Sequence, residues 1–267
     1  MKLALIGGGN MGGALLHALV STGTLSGDEI LVVEPDPEKR QLLQSQTGCA
    51  VKVKADADLR EAGSLLLAVK PQASEGVMKE MKPFLESGQL VISVMAGVSL
   101  STLEKGLGHS RLVRAMPNTP ALIGEGMSVF YAAHGVEKGS REWVRELFSA
   151  CGTCLEVNLE DAVDAATAVS GSGPAYLYFL AEQMIESARD LGFDSKQAEL
   201  LVRQTLKGAV LLMYQQQVPA EELRRRVTSP GGTTEAALKS FSSAGVDDHL
   251  RKGIGEAYRR ALELSGA

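Results

Sequence analysis

Cysteine is scarce in this chain: three in 267 residues, Cys49, Cys151 and Cys154. Three thiols cannot build the multi-bridge framework of a small secreted domain. Two of them form a CxxC, Cys151-Gly152-Thr153-Cys154. Redox pairs of this spacing sit at helix N-termini, where the dipole lowers the thiol pKa. Here the pair follows a helical run (Glu142 to Ser149) and precedes the strand-like Leu155-Glu156-Val157, and a helix C-terminus disfavours a thiolate. Both are read as structural thiols. Histidine is equally sparse: none of His17, His109, His134 and His249 is paired at ligand spacing, so no metal is expected. No apolar run approaches the roughly 18 residues that span a bilayer, so no membrane partner is expected. Lys2 and the short apolar run behind it loosely imitate a secretory leader, but Gly7-Gly8-Gly9-Asn10 breaks the run too early; a cytoplasmic protein is expected. Basic charge is not in excess. The net charge of −5 argues against non-specific nucleic-acid binding, and Arg224-Arg225-Arg226 reads as the solvated face of a helix. No internal repeat or low-complexity linker interrupts the chain.

What is present is a chain long enough for one large or two modest domains, with the 45% hydrophobic and 22% charged content of an ordinary globular protein. Its organising stretch is the apolar strand Leu3 to Ile6 running into Gly7-Gly8-Gly9-Asn10-Met11-Gly12, with a helix-forming run from Gly13 to Thr22. Strand, Gly-x-Gly-x-x-Gly and helix in that order form the phosphate turn of a dinucleotide-binding βαβ unit. Gly7 permits the tight turn, Gly9 lets a pyrophosphate reach the backbone, and Gly12 brings helix and strand together. The helix N-terminus, including Asn10 and Met11, offers N–H groups and partial positive charge to the anion. About 20 residues on, Glu34 ends the next strand, where this fingerprint places a carboxylate for the ribose 2′-OH.

Strands are expected at Leu3 to Ile6, Ile30 to Val33, Ser64 to Val69, Leu90 to Val94 and Leu112 to Ala115, all nearly continuously apolar, as in parallel strands buried on both faces. Helices are expected at Pro37 to Thr47, Gln72 to Phe84 and Ser101 to Leu107. Such alternation gives a doubly wound sheet, whose ligands bind beyond the carboxyl ends of the strands. The candidate cofactor residues at those ends are Gly7, Gly9, Asn10, Met11, Gly12, Glu34, Ala68, Val69, Lys70, Pro71, Ala96 and Gly97. Lys70 reads more readily as a rim residue for cofactor or solvent than as a catalytic lysine. Small residues at Ala96 and Gly97 let a flat ring lie against backbone. The loop Met116-Pro117-Asn118-Thr119-Pro120 is stiffened by its prolines, which suits either a site wall or a plain turn. Gly124 to Tyr131 and Thr153 to Val157 read as edge strands.

From Asn158 the strand pattern stops. A helix is expected from about Leu159 to Val169, then a break at Ser170-Gly171-Ser172-Gly173, and a helix from Pro174 to Asp190 that is apolar nearly all round at its start and suits burial against another subunit. Asp194-Ser195-Lys196-Gln197 is a capping box for a helix to about Gln216. A short helix runs from Pro219 to near Val227. Ser229-Pro230-Gly231-Gly232-Thr233-Thr234 is then a second glycine-rich loop before a helix, either an anion-binding nest or a helix-entry turn. The domains are drawn at 1–157, the dinucleotide-binding domain, and 158–267, an all-helical domain.

Four segments in this order, IGGGNMG (6–12), RAMPNTPAL (114–122), SGSGPAY (170–176) and SPGGTTEAAL (229–238), resemble pyrroline-5-carboxylate reductase, and the resemblance spans nearly the whole chain. It implies a Rossmann-type doubly wound sheet followed by an all-helical C-terminal dimerisation domain, and a homodimer or a larger ring of dimers. The implied activity is reduction of 1-pyrroline-5-carboxylate, a small imino acid, to L-proline by NADPH or NADH. It also implies that Asn118, Ser172, Gly173, Gly231, Gly232, Thr233 and Thr234 hold the substrate, with the Thr234 hydroxyl on the imine nitrogen. Glu34 departs from the neutral or basic residues many members carry there. Its charge opposes a 2′-phosphate, so NADH is the expected preference, with Lys39 or Arg40 able to offset the repulsion. Two other readings are a different imine or β-hydroxyacid reductase on the same plan, and a dinucleotide sensor without turnover.

Overall fold

The computed structural model describes residues 1–266. The expected strands form at β1 (Leu3–Ile6), β2 (Ile30–Val33), β4 (Ser64–Leu67), β5 (Leu90–Ser93) and β6 (Leu112–Met116), joined by β3 (Ala50–Lys52), β7 (Gly126–Ala132) and β8 (Gly152–Glu156). One eight-stranded sheet results, in the order β3-β2-β1-β4-β5-β6-β7-β8. Among these strands β6 and β7 run antiparallel, and the other neighbours are parallel. The first six strands thus have the 3-2-1-4-5-6 order of a doubly wound dinucleotide-binding sheet.

The continuous apolar runs have a direct structural cause. Successive residues of a strand face opposite sides, and here both sides are covered. Leu3, Leu5, Val32, Leu66, Ile92 and Val113 enter one core with Leu15, Leu16 and Leu19 of α1 (Asn10–Ser21). Ala4, Ile6, Leu31, Val33, Leu65, Leu67 and Val91 enter the other, with Met78 and Met81 of α3 (Ser74–Met81) and Leu103 of α4 (Leu100–Leu107). Between α1 and α3, α2 (Pro37–Thr47) starts on the Asp36 carboxylate, which accepts from the Glu38 and Lys39 N–H groups. Helix α5 (Lys138–Ser149) packs Val144, Leu147 and Phe148 beside β7 and β8.

The third strand of the sheet was not expected. β3 has three residues, partly exposed and ending in Lys52, so it lacks the run that betrays its neighbours. It pairs only with β2, as short lysine-bearing edge strands do. The expected helix at 159–169 is also different. It is six residues of α6 (Asp161–Ala166) followed by a π-helical turn, Thr167–Gly171, in which the Ser172 N–H reaches back to the Thr167 carbonyl at 2.8 Å.

Backbone contacts divide the chain into two compact units, Met1–Pro174 joined by the residues from Glu256 on, and Ala175–Gly255. The boundary drawn at 157/158 therefore falls inside the first unit, because α6 and the π turn pack on β6 and β7, and the end of the last helix belongs there too. The second unit is helical: most of α7 (Gly173–Asp190), α8 (Ser195–Gln216), α9 (Ala220–Arg226), α10 (Thr233–Ser243) and the first half of α11 (Val246–Ser265). The expected capping box forms, Asp194 accepting from the Gln197 N–H at 2.9 Å and Gln197 from the Asp194 N–H at 3.1 Å. Within this unit only Ala198 and Val202 are buried hydrophobics among the described residues, and Leu177, Tyr178, Phe179 and Leu180 are all exposed.

Candidate active site

The glycine turn is built on close approaches. Gly7 has φ +99°, and a Cβ there would stand 2.8 Å from the Ala68 carbonyl oxygen and from the Val69 side chain. A Cβ on Gly12 would stand 2.0 Å from the Gly7 oxygen and 3.1 Å from the Ala68 Cβ. These contacts seat α1 against β1 and β4. Gly9 is the opposite case: nothing lies within 4 Å of its Cβ direction, and no side chain caps the helix it begins. The turn thus leaves an open approach to a 12-residue helix N-terminus, the arrangement that receives a phosphate.

Beside it a cavity of about 380 Å³ runs along the strand ends. It brings together Gly7, Gly9, Glu34, Ala68, Val69 and Lys70, all expected at the cofactor edge. Asn10 lines a second opening between α1 and α2 with Gly8 and Lys39, while Met11, Gly12 and Pro71 line neither cavity. Gly97 lies elsewhere. Its Cβ would meet the Leu264 Cβ at 2.6 Å, so its small size admits the last turns of α11. Ala96 is partly exposed beside it.

Glu34 is 6% exposed. One carboxylate oxygen accepts the Gly8 N–H at 2.8 Å and the other the Asp36 N–H at 3.0 Å. The carboxylate therefore ties the phosphate turn to the end of β2 and retains further acceptor capacity on both oxygens. Arg40 donates to the Glu34 and Pro35 carbonyls at 2.8 and 2.6 Å, so its guanidinium is committed to the loop backbone; Lys39 and Lys70 are the cations that line the cavity.

The second site region joins two motifs far apart in sequence. Asn118 is buried: its Nδ2 donates to the Ser170 carbonyl at 3.0 Å and its Oδ1 accepts the Met127 N–H at 2.9 Å. Met116 packs where a Cβ of Gly171 would stand. Asn118, expected to hold substrate, is thus a clamp between the proline-rich loop, β7 and the π turn that leads to Ser172 and Gly173.

In the second unit, Gly231 has φ +71° and its N–H donates to the Glu235 carboxylate at 2.9 Å, while the Gly232 N–H donates to the Ser229 carbonyl at 3.0 Å. Two of the four amides of the expected nest are therefore engaged inside the loop. No side chain caps α10 at Gly232, so Thr233 and Thr234 occupy an open first helical turn. Burial pushes the Cys151 and Cys154 thiols up to about 11, so both are neutral at physiological pH.

The sequence is 39% identical to the pyrroline-5-carboxylate reductase of Pseudomonas aeruginosa, over 99% of this chain and 97% of that protein. The chain belongs to the pyrroline-5-carboxylate reductase family. Residues 160–264 match the family described as pyrroline-5-carboxylate reductase dimerisation, and residues 2–97 one described as NADP oxidoreductase, coenzyme F420-dependent. Among solved structures, a pyrroline-5-carboxylate reductase from Coxiella burnetii superposes with a TM-score of 0.90 at 35% identity, covering 99% of this chain and 98% of that one. The Plasmodium falciparum pyrroline carboxylate reductase, solved with NADP bound, superposes with a TM-score of 0.87 at 28% identity, covering 99% and 98%.

Sequence reasoning missed several residues of the cavity at the strand ends. Val53, Ala55, Val77 and Glu80 line the cavity with those expected. Val53 is a large hydrophobic residue left 58% exposed just after β3, so recognising that edge strand was the way to find it. Glu80 accepts the Ala55 N–H at 2.7 Å, a contact across 25 residues that no local pattern announces.

Proposed function

We infer that this chain reduces 1-pyrroline-5-carboxylate to L-proline with NADH or NADPH, and that NADH is the preferred donor. The activity follows from membership of the reductase family along nearly its full length. The observation that carries the cofactor is the open glycine turn at the uncapped N-terminus of α1. Gly7, Gly9 and the α1 amides would hold the pyrophosphate, and Glu34, Lys39 and Lys70 the groups beyond it. When bound, the nicotinamide supplies a hydride; the protein aligns donor and acceptor and places charge.

The preference for NADH rests on Glu34. A unit negative charge brought within about 4 Å of another costs about 4 kcal/mol at an effective dielectric of about 20. Glu34 is fixed at the cavity by two backbone amides and cannot swing away without losing them. Asp36 caps α2 through its carboxylate and adds to the negative charge nearby. Comparing kcat/KM for NADH and NADPH tests this; an equal or higher value with NADPH refutes it.

For the substrate, the resemblance assigns Ser172, Gly173 and the segment Gly231 to Thr234. The open first turn of α10 supports a carboxylate contact at the Thr233 and Thr234 amides. The substrate reacts as an iminium, and the Thr234 hydroxyl accepts a hydrogen bond from its nitrogen. Asn118 acts through the π turn it clamps.

The active form is a homodimer, assembled further into a ring of dimers as the resemblance implies, and it works in the cytoplasm. The exposed run Leu177 to Leu180, and the exposed Val210, Leu211, Leu212 and Met213 of α8, support the dimer, since helices that leave large apolar side chains exposed on several sides suit burial against a partner. Light scattering on the purified protein tests the assembly; a monomer at micromolar concentration refutes it. Among the described residues no helix is long and apolar enough to cross a membrane.

A further inference from the structure

Arg114 is a buried cation on β6, with its side chain 2% exposed. Its guanidinium pairs with the Asp164 carboxylate through both terminal nitrogens, at 2.9 and 2.5 Å, and Asp164 is also 2% exposed. A third contact runs from Nη1 to Glu160 Oε1 at 3.3 Å, and that oxygen also accepts the Leu100 N–H at 2.8 Å. These contacts connect three segments of the first unit. Leu100 opens α4, three residues after Gly97 at the end of the loop from β5. Arg114 lies two residues before Met116, which packs on the π turn at Gly171. Asp164 sits in α6, three residues before that turn begins.

Helix α6 has six residues, too few to hold its own position. Val163 packs it into the core beside β6 and β7, and the grip of Arg114 together with the Asn118 clamp orients it and with it the path to Ser172 and Gly173. A buried ion pair is weak as a source of stability, because apolar residues of similar volume commonly do as well. Its value here is placement: a bidentate pair admits one orientation, where an apolar contact admits several. We infer that Arg114, with Asp164 and Glu160, is a positioning network for the imine reduction, holding the Ser172–Gly173 turn in register with the loop after β5. The inference rests on the reading that this turn contacts the imino acid.

The test compares the parent with the double variant R114M/D164L, which removes both charges and keeps an apolar core. Melting temperature, the NADH dissociation constant and steady-state kinetics with 1-pyrroline-5-carboxylate are measured on each. The network predicts a folded double variant that binds NADH within about twofold of the parent, with kcat/KM for the imine down by about 10- to 100-fold, the scale of a misplacement of about 1 Å. A folded variant with parental imine kinetics overturns it. If the double variant does not fold, E160A and E160Q decide. Glu160 is 26% exposed in its side chain, and Arg114 keeps its pair with Asp164 without it. E160A loses the acceptor for the Leu100 N–H and should raise the imine KM several-fold, whereas the amide oxygen of E160Q still accepts that N–H and should recover most of the loss. Parental kinetics in E160A, or an E160Q as impaired as E160A, overturn the proposal. Because the parent is assayed alongside, an error in the proposed activity shows as an inactive parent, and an error in the network, or in the placing of the turn against the imino acid, as an active parent with a folded variant of parental kinetics.

Discussion

Replacing Gly9 or Gly12 by alanine should damage this protein in two different ways, although the two glycines stand three residues apart. At Gly12 the new methyl would lie 2.0 Å from the Gly7 carbonyl oxygen, so α1 and the glycine turn must separate by about 1.4 Å or more to reach ordinary contact. Overpacking of this kind costs about 1–3 kcal/mol, and each kcal/mol lowers the melting temperature of a domain of this size by about 2–4 °C. G12A should therefore melt roughly 2–12 °C lower and also bind dinucleotide poorly, because the amides at the start of α1 have moved. At Gly9 the backbone is extended, φ −69° and ψ −169°, which alanine adopts readily, and the methyl meets nothing within 4 Å. G9A should melt at or slightly above the parent, since alanine restricts the unfolded chain. Its methyl stands where a pyrophosphate approaches, and its dissociation constant for NADH should rise at least about tenfold, a loss of about 1.4 kcal/mol. Thermal melts and NADH fluorescence titrations on both variants measure the two effects separately. A G9A protein with parental affinity would refute the assignment of this turn to the pyrophosphate. A G12A protein with parental melting would refute the close approach.

Thr234→Ala should lower kcat/KM for the imine well beyond a few-fold; if the hydroxyl assists proton handling, the range is about 10²- to 10⁴-fold, and a change of only a few-fold removes Thr234 from the mechanism. E34Q should raise kcat/KM for NADPH relative to NADH by at least about tenfold, since it deletes the charge that opposes a 2′-phosphate, although its single carbonyl oxygen can accept only one of the Gly8 and Asp36 N–H groups; an unchanged ratio means the preference is set elsewhere. With thiol pKa values raised from 9.0 to about 11, Cys151 and Cys154 should carry roughly 100-fold less thiolate at pH 8 than ordinary cysteines, so iodoacetamide labelling of the folded protein should stay slow until the pH nears 11; rapid labelling at pH 8 would contradict the burial that raises them. Burial of the neutral thiols favours the fold fully below pH 9, and that contribution fades as the pH rises through 11.

The parts of this molecule that could be read from its sequence are those where local pattern and tertiary role coincide. β1, β2, β4, β5 and β6 were visible because strands buried on both faces must be apolar throughout. The Asp194–Gln197 capping box was visible because its geometry is local. Three things were hidden for physical reasons. β3 owes its existence to pairing with β2 and carries no apolar run of its own. The π turn at 167–171 arises where α6 meets the Asn118 clamp and the Met116 side chain, both far away in sequence. Gly97 and Glu34 occupy strand ends, as expected, but their surroundings come from Leu264 and from the Gly8 amide. Residue type at a strand end marks a site; which groups engage it is decided by segments that only the folded chain brings close.

The most direct test of the central claim is the rate at which purified protein oxidises NADH, and separately NADPH, when 1-pyrroline-5-carboxylate is added. Imine-dependent oxidation with L-proline as product, with a higher kcat/KM for NADH than for NADPH, is the predicted result. Folded protein that binds dinucleotide yet shows no imine-dependent oxidation with either donor would contradict the account.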